Sequence, residues 1–521
     1  MSTNKLNLRE VKSSDIIAFQ IENEPRPTDN PDVQNFWTKY IEKRLKEDEQ
    51  QCVICGQIKP ITRILPFEVT LLKGTDGVQL SSFNKDAFES LGKTTKEVIE
   101  NDKTKKRKSG ANAAICYSCA SIAGNVLSYL LKLDKNDKDE DKNSGKHIVV
   151  LQRDKTRKQP LHNWVTIFWT KEQINIGSEK EDKYQFEDLV KIPLEDFDEI
   201  SESEIPIKVG QCRELLQSPF IGGLLPQDFP TNRFYLAILS PNITRLVVRE
   251  WLNEDIVSVK ENISCYWDSL QIIHPDGRDI WAPPMPALIE ALQSYTSSKQ
   301  EFKENPRIKF GPDVTKKLIR CIYTGTPPPE TILYRAVRCF RIPDPPTEDK
   351  KQIERQMLRR MSTAAAMKLI LTYNKNEKEK KAMEKLITDY DVDSEYKNNA
   401  PYNCGVLLAI LEAIQRRASS SGKGVNTTLV HRYYATASTA PATVFANLIS
   451  MATKAHLPKL QKENKELFKV RYQEKAVNIN DLMAEACKAI DEAKGFPQTL
   501  EPKQQAEFAL GFYHQRAEFV Y

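Results

Sequence analysis

The chain has 521 residues, room for roughly two to four domains and a sizeable buried core. Charged residues make up 28% and the apolar set 40%, ordinary for a soluble protein, and no run of ~18 apolar residues marks a membrane span. The formal charge of +5, from 76 basic and 71 acidic side chains, is a weak bias, so a polyanion would have to be met by local patches.

The first residues, "MSTNKLNLREVKSSD", are polar and of mixed charge, without the apolar centre of a signal peptide. A cytoplasmic chain is expected, its ten cysteines reduced rather than paired as disulfides. Six of them, Cys212, Cys265, Cys321, Cys339, Cys404 and Cys487, stand alone and read as small buried hydrophobes.

In chain order, "VQNFWTKYIEKRLKED" spaces its apolar residues for a helix. In "GVQLSSFNKDAFESLGK", Gly77, Ser81 and Ser82 read as turn or strand edge, and Asn84 is placed to cap a helix beginning near Asp86. "SIAGNVLSYLLKL" is again helical, and residues 1–134 form one expected unit. "DKNDKDEDKNSGK" then reads as a solvated linker. Strand-like runs follow in "HIVVLQ", "WVTIFWT" and "RFYLAILSPNITRLVVREWL", the last with a turn expected at Pro241–Asn242. They belong to a mixed body over 135–362, which also carries an acidic stretch, "SEKEDKYQFEDLVKIPLEDFDEISESE", unsuited to facing phosphates. From Thr363 the periodicity is helical, including "CGVLLAILEAIQRRA" and "ENKELFKVRYQEKAVNINDLMAEACKAI", and 363–521 reads as a bundle. The expected fold class is α+β: a mixed α/β N-terminal body with antiparallel strands, followed by an all-α C-terminal helical bundle.

Two CxxC pairs stand out, Cys52 with Cys55 in "QCVICGQ" and Cys116 with Cys119 in "ICYSCA". Each pair lets two thiolates leave one tight turn toward the same ion, and two pairs complete a tetrahedron. Gly56 directly after Cys55 suits such a knuckle. The intervening residues 56–115 make a longer loop than a compact zinc ribbon needs. A closed structural zinc site with four cysteine ligands is the favoured reading. A redox pair lacks a surrounding βαβ pattern, and a catalytic zinc lacks a nearby His-x-Glu or His-Glu-x-x-His.

Lys103, Lys105, Lys106, Arg107 and Lys108 crowd into "KTKKRK", either a phosphate-backbone contact or a solvated loop. Arg245 and Arg249 share one face of an expected strand, with Val247 between them in the sequence. Arg416 and Arg417 precede a flexible tip containing Lys423, and Arg432 follows; each is a candidate backbone contact or a plain surface charge. No histidine triad, Walker loop or nucleophile elbow appears, and His514 reads as a packing residue, so a non-enzymatic role is favoured.

Taken together, "GVQLSSFNKDAFESLGK", "RFYLAILSPNITRLVVREWL", "LYRAVRCFRIPD", "VLLAILEAIQRRA", "YYATASTAPATVFANLISMATKAHLPKL" and "FPQTLEPKQQAEFALGFYHQR" resemble the large subunit of the type I-C CRISPR interference complex, Cascade. The resemblance implies a subunit that does not cut. It reads the short motif beside the target in double-stranded DNA (the PAM), aids duplex opening, stabilises the R-loop by holding the displaced strand, and offers a docking surface to the helicase-nuclease. Its implied partners are a crRNA complex with backbone and repeat-RNA endonuclease subunits, and a small subunit. The C-terminal bundle is similar to that small subunit, which the family can make from an internal start; Met383 is the candidate here. Carried over by position, Gln79, Ser81, Ser82 and Asn84 become candidates for base edges and Lys85 for a phosphate.

The sequence departs from the family where it is richest in sulfur. Members often read Cys-Leu-Val-Thr-Gly followed by Arg-Leu-His-Pro, and Asn-Ala-Pro-Val-Ser before the next helix. Here the text is "CVICG", "RILP" and "NAAICYSC". Cys55, Cys116 and Cys119 are therefore additions that arrive together, as a shared metal requires. A zinc-ribbon DNA-binding regulator acting alone is the alternative class.

Overall fold

A computed structural model describes residues 26–44, 49–62, 69–71, 97–100, 103–106, 113–133, 145–151, 153–154, 159–160, 164–171, 175–176, 184–194, 220–221, 232–242, 245–274, 280–292, 311–342, 349–373, 399–419, 428–463, 469–472 and 475–519. The chain forms two compact units. One is Met1–Lys132 with Leu239–Val248, and the other is Leu133–Ile238 with Arg249–Tyr521.

The first unit is built of short pieces. Helix α1 (Pro31–Arg44) is followed by the hairpin β1 (Glu49–Gln51) and β2 (Ile58–Pro60), then by a second hairpin, β3 (Glu97–Glu100) and β4 (Lys103–Lys106), and by helix α2 (Tyr117–Leu130). Among its described residues, Ile61 and Ala114 form a cluster of their own, and Val69, Leu71, Ala120, Leu127 and Leu130 are buried as well. Both helices leave large side chains in water, Phe36, Trp37 and Tyr40 on α1 and Ile122, Val126 and Tyr129 on α2.

The second unit has a continuous core running from Val149 to Phe519. Its sheet orders strands β5 (Ile148–Val150), β6 (Val165–Thr170), β7 (Arg233–Asn242) and β8 (Arg245–Asp255) as β8-β7-β6-β5. Alternation decides the faces: Phe234, Leu236 and Ile238 of β7 enter the core together with Phe168 of β6. Beyond the short helix α3 (Phe186–Val190), the core is closed by α4 (Ile256–Leu270), which buries Ile256, Val259, Ile263, Tyr266, Trp267 and Leu270 at helical spacing. The Asp255 side chain caps α4 by accepting from the Ser258 N–H at 2.9 Å. The turn expected at Pro241–Asn242 is instead strand; β7 continues through both residues and only Ile243 and Thr244 separate it from β8.

Helices α5 (Pro312–Thr324), α6 (Thr331–Arg341), α7 (Lys350–Thr372), α8 (Ala400–Ala418), α9 (Leu429–Ala437), α10 (Pro441–Met451), α11 (Ile479–Glu492) and α12 (Pro502–Glu518) make up most of the rest. The α+β class expected from the sequence is the class observed. Inside the C-terminal part, however, the stretch expected to be wholly helical carries a hairpin, β9 (Lys469–Tyr472) and β10 (Lys475–Asn478), with Val470 opposite Val477. The β-branched and aromatic residues of "KVRY" and "KAVN" favour a pleated strand there, and Asn478 then caps α11 by accepting from Asn480 N–H at 2.9 Å. The boundary expected at 362 falls within α7.

Helices α8 and α12 meet backbone to backbone. A Cβ added at Gly405 would stand 2.9 Å from the Phe508 carbonyl carbon and closer still to its oxygen, and one at Gly511 would strike the Tyr402 carbonyl. The same pair is tied by Tyr402 Oη and His514 Nδ1 at 3.0 Å, and by Glu412, which takes Arg416 at 2.9 Å and Arg516 at 3.7 Å. His514 is buried, as a packing residue should be, and burial with the Lys368 charge lowers its pKa to about 3.

Two outcomes follow from this crossing. Gly405→Ala forces the helices apart and should cost roughly 3 kcal/mol or more, read as a lower melting temperature. Between the ordinary histidine pKa near 6.5 and about 3, the unfolded chain binds a proton at His514 that the folded chain refuses. Stability should therefore fall on acidification from neutral pH toward pH 5, and His514→Gln should flatten that part of the profile.

Candidate metal centre

The first CxxC sits in the turn between β1 and β2. Cys52 N–H donates to the Gln57 carbonyl and Gly56 N–H to the Cys52 carbonyl, both at 2.9 Å, which folds the chain back on itself. Closing that turn needs a left-handed residue after Cys55, and Gly56 supplies it at φ 70°. The Ile54 N–H then points at Cys52 Sγ, 3.4 Å away.

The second CxxC opens α2. Cys116 is the residue before its first turn and Cys119 lies within that turn, so both sulfurs emerge at the N-terminal end of the helix. Backbone bonds join the two segments: Val53 N–H to Ala114 carbonyl at 2.8 Å, Thr62 N–H to Ile115 carbonyl at 2.9 Å, and a β-bridge between Ile61 and Cys116. The Cys116 N–H donates to Cys52 Sγ at 3.4 Å.

The four sulfurs, Cys52, Cys55, Cys116 and Cys119, all lie within 4.8 Å of one another. Zinc–sulfur bonds of about 2.3 Å place tetrahedral sulfurs about 3.8 Å apart. Cys55 and Cys116 stand at 4.0 Å, about twice the length of an S–S bond and close to that tetrahedral edge. Cys52 and Cys116 are buried, Cys119 is half-buried and Cys55 is exposed, so one side of the cluster opens to water for metal entry. Donor type, separation and N–H···S bonds all fit a zinc ion held by four thiolates. An ion held by all four would have no open position for a substrate, the arrangement of structural zinc sites.

Protonation of the sulfurs fits the same picture. Burial works to raise the Cys52 thiol, but the N–H groups of Cys116, Cys55 and Ile54 outweigh it and bring it down to about 6. Burial and the crowding of Cys116, Cys55 and Cys52 push Cys119 up to about 12. Sulfurs this close cannot all be charged without a cation among them.

The other sequence candidates are placed unevenly. Gln79, Ser81, Ser82, Asn84, Lys85, Arg107, Lys108, Lys423 and Met383 lie outside the described residues. Lys103, Lys105 and Lys106 fall on β4, whose register sets Lys103 across from Glu100 and Lys106 across from Glu97. Arg245 starts β8, and Arg249 on the same strand is exposed. Arg416 holds the buried Glu412, Arg417 is half-buried beside it, and Arg432 is exposed on α9.

Sequence reading missed a cluster of three rings on the sheet. Trp169 and Tyr235 stack with centroids 5.4 Å apart, and Trp251 stands edge-on to Trp169, also at 5.4 Å. The residues come from β6, β7 and β8. Only strand order brings them together, so no local pattern announced them.

Removal of one thiolate tests the site. Cys55→Ser should weaken zinc by roughly 2–4 kcal/mol, on the order of 100-fold, with a lower melting temperature for the first unit. Acid should release the metal as protons compete for sulfur. Unchanged zinc retention in Cys55→Ser would place the ligands elsewhere.

No curated protein matches the chain. A family model described as CRISPR-associated protein (Cas_Csd1) matches residues 2–520. The match takes in the cysteine-bearing unit, the sheet and the terminal helices alike, and the chain belongs to the Cas_Csd1 family of CRISPR-associated proteins.

Proposed function

We propose that the chain is the non-catalytic large subunit of a type I-C crRNA-guided surveillance complex. It reads the PAM on double-stranded DNA, aids duplex opening, stabilises the R-loop and offers a docking surface to the helicase-nuclease. The observation that carries this reading is the family match over residues 2–520. The reading places the protein in the cytoplasm with the crRNA, the backbone subunits, the repeat-RNA endonuclease and a small subunit.

The physical features are in keeping with it. No described helix is long and apolar enough to cross a membrane. The exposed Ile122, Val126 and Tyr129 recur at i, i+4 and i+7 along α2, an apolar stripe of the kind that partner subunits cover. In this reading zinc fixes the base of the loop, residues 56–115, that carries both the PAM candidates and the basic run. The metal shapes the DNA-reading unit and takes no part in a reaction.

Reconstitution tests the proposal. The chain should co-purify with a type I-C crRNA complex, and leaving it out should abolish binding to a PAM-bearing duplex. Asn84→Ala should weaken that binding on the order of tenfold, the worth of a base-edge contact, while assembly persists. Target binding that is equally tight without the chain would refute the role, and unchanged affinity in Asn84→Ala would move the PAM contact elsewhere.

A further inference from the structure

The outer face of the β8-β7-β6-β5 sheet carries a feature that core packing does not explain. Glu250 of β8 points inward, where Arg320 of α5 holds it at 2.9 and 3.0 Å. Its neighbour Trp251 must then point outward, and it is 54% exposed. The same face is buried over β5 and β6 at Ile148, Val165 and Ile167, and among the described residues of β8 it is open at Arg249, Trp251 and Asn253.

Trp169 and Tyr235 back the exposed indole. They are half-buried, near-parallel at 13°, and fixed by pairing of their strands. Trp251 leans against both, at 69° to Trp169 and 55° to Tyr235, which sets the plane of its ring. A ladder built only to hold strands together would bury all three rings. Here the outermost one presents more than half of its surface to water.

Cations share this face of the sheet. Arg249, two residues before Trp251 on the same strand face, is exposed, and so is Lys171 at the end of β6. Arg233 is half-buried and donates from Nε to Asn253 Oδ1 at 2.8 Å. Of the carboxylates at this end of β8, Asp255 is engaged in capping α4, and Glu254 precedes it on the strand. A flat, rigid, exposed aromatic flanked by cations is the arrangement by which sheets take unstacked bases: the ring stacks the base and the cations meet its phosphates.

We propose that Trp251, backed by Trp169 and Tyr235, is a stacking platform for an unpaired base of single-stranded nucleic acid, with Arg249 and Lys171 serving the adjacent phosphates. The proposal rests on the reading of the chain as part of an RNA-guided DNA-binding complex. It adds a site to that reading and names the ligand as a strand whose bases are free. Displaced DNA and guide RNA share this chemistry.

Fluorescence anisotropy with labelled oligo-dT and oligo-rU on the full-length protein tests the site. Binding should quench tryptophan emission. Trp251→Leu, which keeps apolar bulk without a ring, should lose the quenching and on the order of tenfold in affinity, and Trp251→Phe should keep most of both. Arg249→Gln should lower the slope of log affinity against log salt by about one. A preference for dT assigns the platform to the displaced strand, and a preference for rU to the guide. Wild-type affinity in Trp251→Leu overturns the proposal. Self-association that Trp251→Leu abolishes, with oligonucleotide binding unchanged, overturns it in favour of a second copy of the chain. Target-duplex binding by the reconstituted complex separates the two claims: it persists if only the platform fails, and it is missing from the wild-type complex if the broader reading fails.

Discussion

Four sulfur atoms within 4.8 Å of one another bring together two segments of the first unit that are distant in the sequence. Cys52 and Cys119 are far apart in the sequence, and bringing the ends of such a stretch together costs entropy. A metal bound to the four thiolates would offset part of that cost. The bridge between Ile61 and Cys116, the knuckle at Gly56 and the start of α2 all meet at this point.

The second unit is stabilised differently. Its core is continuous, and Gly405 meets α12 and Gly511 meets α8, where absent side chains let two backbones touch. Around that contact polar side chains pair across the two helices. His514 stays neutral against Tyr402, and Glu412 collects Arg416 and Arg516.

Much of this was legible in the sequence, for reasons that differ by element. The CxxC pairs were readable because their chemistry is local: two thiols and a glycine specify the knuckle without help from the rest of the chain. Strands β6 and β7 were readable because their β-branched and aromatic runs leave little room for a helix. The β9–β10 hairpin was not, since its strands are short and lie among helical sequence of similar apolar content. The continuation of β7 through Pro241 was hidden because proline and asparagine together favour a turn in isolation, whereas here β7 extends into a long hairpin with β8. Arg416 looked like a free cation because Glu412 one helical turn away gave no sign of being buried. The Trp169, Tyr235 and Trp251 cluster required strand order, which no single stretch of sequence contains.

The account turns on what the four cysteines hold. X-ray absorption at the zinc edge of the purified full-length chain measures this directly. The account predicts one zinc per chain with four sulfur neighbours at about 2.3 Å. A chain without stoichiometric metal, or a zinc with nitrogen or oxygen in its shell, would contradict it.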